Sequence, residues 1–178
     1  MIRKKEINWF YQEGASYIFP DEWERYIKPI PPNERDNFVK AYYKRLTSDD
    51  KNIRIQAARA WSIWEAKTSK LIHNDGEDYT HSFENDHVAE AFARIECHYF
   101  VNNGFFKTDS WILDNTHIIE NIPTYIVQGR YDIVCPMISA WELKKKLPNA
   151  HFYIVKDAGH SMIEDGICNK LIEITNSI

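Results

Sequence analysis

Apolar positions in the first part of the chain recur at helical spacing, and the pattern changes character near residue 115. Pro20-Asp21-Glu22 reads as a turn and helix start, and Pro29, Pro31 and Pro32 break the chain before an amphipathic segment over about Glu34–Leu46. Thr47-Ser48-Asp49-Asp50 then offers capping oxygens to a helix running to about Thr68, with Ala57, Ala58, Trp61 and Trp64 on its apolar face. Lys70–Asp86 is polar, contains Gly76 and several Asp and Asn, and is expected to be a mobile loop. A second helix is predicted over about Asp86–Asn102, with Val88, Ala91, Phe92, Ile95 and Tyr99 as its inward stripe.

Beyond residue 115 the apolar residues come in short continuous runs. Pro123-Thr124-Tyr125-Ile126-Val127, closed by Gly129, has the composition of a strand buried on both faces. A helix is predicted over Met137–Leu147, ending at Pro148, and Phe152-Tyr153-Ile154-Val155 forms a second buried strand. A last helix over Ile163–Asn176 has Leu171, Ile172 and Ile174 available for packing. Strand, helix, strand, helix at these lengths is a βαβα unit of a parallel sheet, so the class is α/β. The expected organisation is a mostly α-helical part, residues 1–115, followed by the βαβα part, residues 116–178.

Composition narrows the possible partners. The 178 residues suffice for one core, or for a small domain plus part of another, and 44% hydrophobic with 27% charged residues is ordinary globular usage. A formal net charge of −4 offers no basic footprint for nucleic acid. Arg3-Lys4-Lys5 is the one early basic cluster and reads as solvated surface; Glu6 and Asn8 follow it, so no secretory leader is expected. No apolar run approaches the roughly 18 residues of a membrane span, so no membrane partner is expected. Cys97, Cys135 and Cys168 are odd in number and far apart, which suits reduced thiols in a cytoplasmic protein. The histidines show no zinc-binding spacing, and His73, His81 and His87 lie in polar surroundings, so neither a metal nor another cofactor is expected.

Two residues stand where an open parallel sheet gathers its functional loops, beyond the carboxyl ends of the strands. Asp132 follows the first strand in Gly129-Arg130-Tyr131-Asp132, and His160 follows the second in Asp157-Ala158-Gly159-His160. Right-handed crossover makes these strands neighbours, so the carboxylate can reach the imidazole. An Asp bonded to one ring nitrogen fixes the tautomer and leaves the other nitrogen to take a hydroxyl proton. The alternative is that Asp132 caps the helix near Met137 and His160 merely ends a loop. Their joint placement, with small Ala158 and Gly159 before the histidine, favours the pair.

Two further carboxylates share helical faces with aromatic rings. Glu65 follows Trp64 and lies one turn after Trp61, while Glu96 stands four after Phe92 and four before Phe100. A carboxylate among rings is costly unless a cation meets it. The cation could be Arg59 or Arg94 in a structural ion pair, or a substrate ammonium with the rings supplying apolar contact and cation–π attraction.

From Trp9-Phe10-Tyr11-Gln12-Glu13-Gly14-Ala15-Ser16 onward the chain resembles the proline iminopeptidases (prolyl aminopeptidases), serine peptidases of α/β-hydrolase fold. The likeness is carried by Phe19-Pro20-Asp21-Glu22-Trp23-Glu24, Trp61-Ser62-Ile63-Trp64-Glu65, the stretch Ala91–Phe100, Gly129-Arg130-Tyr131-Asp132 and Ala158-Gly159-His160-Ser161. The resemblance implies a helical cap up to about residue 115, followed by the C-terminal part of the hydrolase core. It implies release of N-terminal proline from small peptides, with Asp132 as catalytic acid partner and His160 as base. Glu65 and Glu96 then hold the α-amino group, and Phe10 and Phe100 surround the proline ring. Cys97 stands where family members often have Asn.

The chain order in this fold is nucleophile, acid, base. No GxSxG and no HGG-type oxyanion segment occur in the 178 residues. The chain is therefore expected to be a portion of an aminopeptidase, inactive alone. The alternatives are a non-catalytic module binding peptides with N-terminal proline, or a fragment whose partner is a separate N-terminal half or a second copy in a homo-oligomer.

Overall fold

Asn37 and Asp50 start two of the helices that organise the first part of the chain. The Asn37 side chain accepts from the Lys40 amide at 3.0 Å, and Asp50 Oδ1 accepts from the Asn52 amide at 2.8 Å. The computed structural model describes residues 2–72 and 81–178. It forms two units, one of residues 2–68 with 81–106 and one of residues 69–72 with 107–178. The change in packing thus precedes the change in composition near residue 115.

The first unit contains α1 (Lys4–Tyr11), α2 (Pro20–Ile27), α3 (Phe38–Leu46), α4 (Lys51–Thr68) and α5 (Asp86–Val101). α3 begins later than its amphipathic pattern suggested, because Pro32–Glu34 form a separate 3-10 turn and Asn37 supplies the cap. Ala57, Ala58, Trp61 and Trp64 of α4 are all buried, as expected, among Phe10, Tyr26 and Tyr42. Tyr42 stacks on Tyr26, 4.8 Å between centroids, and meets Trp61 edge-on at 5.2 Å, so the core is largely aromatic.

α5 turns a different face inward from the one its apolar stripe predicted. Ala89, Ala93 and Cys97 are fully buried, whereas Ile95 is 62% and Tyr99 47% exposed; Val88 and Ala91 are exposed too. The physical reason is closeness to α4: Ser62 Oγ lies 3.4 Å from the Ala89 carbonyl, a spacing that small side chains permit and branched ones do not.

In the second unit β1 (Tyr125–Gly129) pairs in parallel with β2 (His151–Val155), with Tyr125 opposite His151 and Gly129 opposite Val155. α6 (Trp111–Asp114) precedes β1, α7 (Met137–Lys146) makes the crossover and α8 (Asp165–Thr175) follows β2. Lys144 Nζ closes α7 by donating to the Pro148 and Ala150 carbonyls at 2.7 and 2.8 Å. The strands are half-buried rather than covered on both faces, and each has a single partner strand among the described residues. On α8 Ile174 is buried as expected, together with Ile167, whereas Leu171 is only half-buried and Ile172 is exposed, contrary to the expected packing.

Of the predicted mobile loop, residues 73–80, including His73 and Gly76, lie outside the described residues. His81–Glu84 form a 3-10 turn in which His81 contacts Glu84 at 3.0 Å, and His87 is exposed. No helix among the described residues is long and apolar enough to cross a membrane.

Candidate active site

The loops after β1 and β2 are pressed together by glycine. A Cβ on Gly129 would stand 1.8 Å from the Gly159 carbonyl oxygen, so the two backbones meet directly. Tyr131 N donates to Ala158 O at 3.0 Å, and Arg130 N to Val155 O at 2.8 Å. This pairing carries Asp132 to the side of His160.

His160 Nδ1 lies 3.0 Å from Asp132 Oδ2. The carboxylate is buried and otherwise fixed: Gln128 Nε2 donates to Oδ2 at 2.9 Å and the Cys135 amide to Oδ1 at 2.7 Å. Asp132 does not cap α7, whose N-cap is Pro136 without a side-chain cap bond. With Nδ1–H donating to Asp132, the unprotonated ring nitrogen is Nε2, on an imidazole side chain that is 39% exposed. Such a pair can take a proton from a hydroxyl and return it to a leaving group.

In the first unit Tyr11 and Trp61 stack face to face, 4.3 Å between ring centroids, and each serves a different carboxylate. The Tyr11 hydroxyl donates to Glu65 Oε1, and Trp61 Nε1 donates to Glu96 Oε2 at 3.0 Å. Burial, then the charge of Glu96, pushes the Glu65 carboxyl well above its ordinary range, against a smaller lowering by Tyr11. Neither arginine of the alternative ion pair serves these groups: Arg59 bonds Asp86 at 2.8 Å, and Arg94 bonds Glu90 at 3.1 Å. Phe100 is half-buried, 5.2 Å from Tyr11 and 6.1 Å from Trp61. Phe10 sits deeper, fully buried between Tyr11 at 4.8 Å and Trp64 at 5.2 Å. Cys97, next to Glu96, donates its thiol to the Val39 carbonyl at 3.3 Å, and burial pushes it up to about 12.

A helical part, a parallel βαβα part and an Asp–His pair at the strand ends are joined by a family match: residues 12–167 fit the model of the alpha/beta hydrolase fold. The chain belongs to the α/β-hydrolase fold family. Within it the chain is 58% identical over 176 residues to a Leptolyngbya boryana protein named "Probable proline iminopeptidase", matching 99% of this chain and 54% of that protein. The proline iminopeptidase of Arabidopsis thaliana is 53% identical over 97% of this chain and 45% of its own length. That of Neisseria gonorrhoeae is 38% identical over 100% and 56%. The chain thus spans about half the length of the curated relatives it matches, and it is similar to proline iminopeptidases throughout.

Three parts of this hydrolase arrangement were not singled out from sequence: Tyr11 as donor to Glu65, Gln128 as donor to Asp132, and the contacts that hold the His160 loop. Tyr11 lies in the aromatic run Trp9-Phe10-Tyr11 and Gln128 lies four residues before the Asp, so both carried a local signal. The loop contacts come from Ser69, far off in sequence, and from Glu164 within the same loop. Ser69 O accepts from His160 N at 2.8 Å and Ser161 N at 2.9 Å, and Glu164 accepts from Gly159 N at 2.9 Å.

Proposed function

We propose that this chain carries the acid, the base and the amine-binding carboxylates of a proline iminopeptidase, a serine aminopeptidase that releases N-terminal proline from small peptides. The observation that carries the proposal is the pair Glu65 and Glu96 held by one aromatic stack. Carboxylates among rings, Glu65 buried and Glu96 half-buried, suit a cation with an apolar body. An N-terminal proline is such a group, a secondary ammonium within a pyrrolidine ring. Phe100 faces that ring, with Phe10 backing Tyr11.

His160, oriented by Asp132, accepts the proton of an attacking serine hydroxyl and passes it to the leaving amine as the acyl–nitrogen bond breaks. Glu65 and Glu96 keep the prolyl ammonium fixed meanwhile. The serine and the oxyanion donors come from outside these 178 residues, which contain no GxSxG. Residues up to about 115 serve as the cap and the remainder as part of the hydrolase core, and three cysteines outside any disulfide suit a cytoplasmic protein.

The chain by itself is expected to give no turnover of Pro-p-nitroanilide above a buffer blank. Turnover abolished by His160→Ala would overturn the assignment of the nucleophile to sequence outside the chain. The same carboxylate pair favours a second reading, a peptide-binding module without catalysis. Calorimetry with Pro-Ala then gives heat that vanishes when Glu65 and Glu96 become Gln, and a folded wild-type chain without heat removes it.

A further inference from the structure

We infer that Glu164 is a positioning residue for His160; the inference rests on the proposed reading of His160 as the catalytic base. Glu164 is half-buried and directly precedes α8, yet its carboxylate makes no cap bond to that helix. It reaches back instead. Oε1 and Oε2 accept from Gly159 N at 2.9 and 3.1 Å, and Oε2 also accepts from Leu71 N at 3.1 Å.

These bonds complete a pattern around the histidine. Three successive amides, Gly159, His160 and Ser161, are all engaged, the first by Glu164 and the other two by the Ser69 carbonyl. Leu71, two residues after Ser69, is tied to the same Glu164 carboxylate. The segment 69–71 and the loop 159–164 are thereby cross-linked at both ends, with the His160 Cα between the links. Gly159 makes this possible, since a Cβ there would stand 2.8 Å from Leu71 N.

Asp132 is anchored independently, by Gln128 and the Cys135 amide, so the 3.0 Å contact to His160 Nδ1 depends on the His160 loop arriving in register. Backbone bonds to a carboxylate are charge-assisted, which suits a fixed clamp better than a neutral acceptor would. Misplacing a catalytic group by about 1 Å costs on the order of 10²-fold in rate. Glu164 therefore serves the base without touching substrate.

The test is NMR on the full chain, comparing wild type with Glu164→Ala and Glu164→Gln. In Glu164→Ala the amides of Gly159 and Leu71 are expected to exchange on the order of tenfold faster or more, as loss of a charge-assisted bond implies. The His160 Nδ1 proton resonance broadens or disappears, while the amides of β1, β2 and Cys135 keep their rates. Glu164→Gln retains one acceptor oxygen, so the His160 resonance survives and Leu71 alone exchanges faster. A folded Glu164→Ala chain with an unchanged His160 resonance and unchanged Gly159 exchange overturns the assignment. If that variant does not fold, Glu164→Gln decides, and unaltered exchange at Leu71 overturns it equally. These signals need no substrate, so failure of a complete hydrolase bearing this chain to release proline would sink the functional proposal and leave the clamp intact.

Discussion

Trp61 and Trp64 are both fully buried in the aromatic core, but only Trp61 has a hydrogen bond for its indole N–H, to Glu96 at 3.0 Å. Among the described residues Trp64 Nε1 has no partner. Replacing each by Phe therefore separates packing from hydrogen bonding. Either substitution shrinks a buried ring, at about 1–2 kcal/mol. Trp61→Phe also leaves the Glu96 carboxylate one donor short, a further ~1.5–3 kcal/mol for a bond to a charged group. Trp64→Phe removes a buried donor that had no acceptor, which offsets part of its packing loss. Trp61→Phe should thus destabilise by about 2.5–5 kcal/mol and Trp64→Phe by less than ~2 kcal/mol. Urea unfolding followed by circular dichroism, with unchanged slope, measures both. Equal losses, or a larger loss for Trp64→Phe, would refute the assignment of the Trp61 bond as a stabilising contact that orients Glu96.

Glu65 has its carboxyl raised by burial and by Glu96, so the folded chain holds that proton more tightly than the unfolded chain does. The associated stability is complete below the unfolded carboxyl pKa and is lost as pH rises through the folded one. Glu65→Gln should remove this loss, so its melting temperature relative to wild type increases with pH above the ordinary carboxylate range; a pH-independent difference would count against the buried carboxyl. Cys97 is buried with its thiol pushed up to about 12, while Cys135 and Cys168 are half-buried. A disulfide reagent at mild alkaline pH should accordingly titrate the latter pair in the native chain and all three thiols in urea, and rapid native labelling of Cys97 would contradict its burial.

Local chemistry made much of this legible in sequence. Asp50 and its neighbours marked the start of α4, and Trp61 and Trp64 marked the face it buries. The two apolar runs marked β1 and β2, and the residues just beyond them, Asp132 and His160, meet as expected. What failed had a common cause in packing between distant segments. α5 offers two stripes, and hydrophobicity ranks Val88–Ile95–Tyr99 above Ala89–Ala93–Cys97, yet close approach of α4 selects the smaller one. The strands read as doubly covered because their residues are apolar, although they are only half-buried. Glu164 left no local mark at all, since it acts on the amides of Gly159 and of Leu71, the latter 93 positions away.

The central claim is that Asp132, His160, Glu65 and Glu96 are working parts of a proline-releasing hydrolase. Its most direct measurement is the activity of a chimera in which this chain replaces the matching half of the Leptolyngbya boryana relative, with which it shares 58% identity. The account predicts that the chimera hydrolyses Pro-p-nitroanilide, that His160→Ala abolishes turnover, and that Glu65→Gln with Glu96→Gln weakens it chiefly through substrate binding. A folded chimera that is inert, or one whose turnover survives His160→Ala, would contradict it.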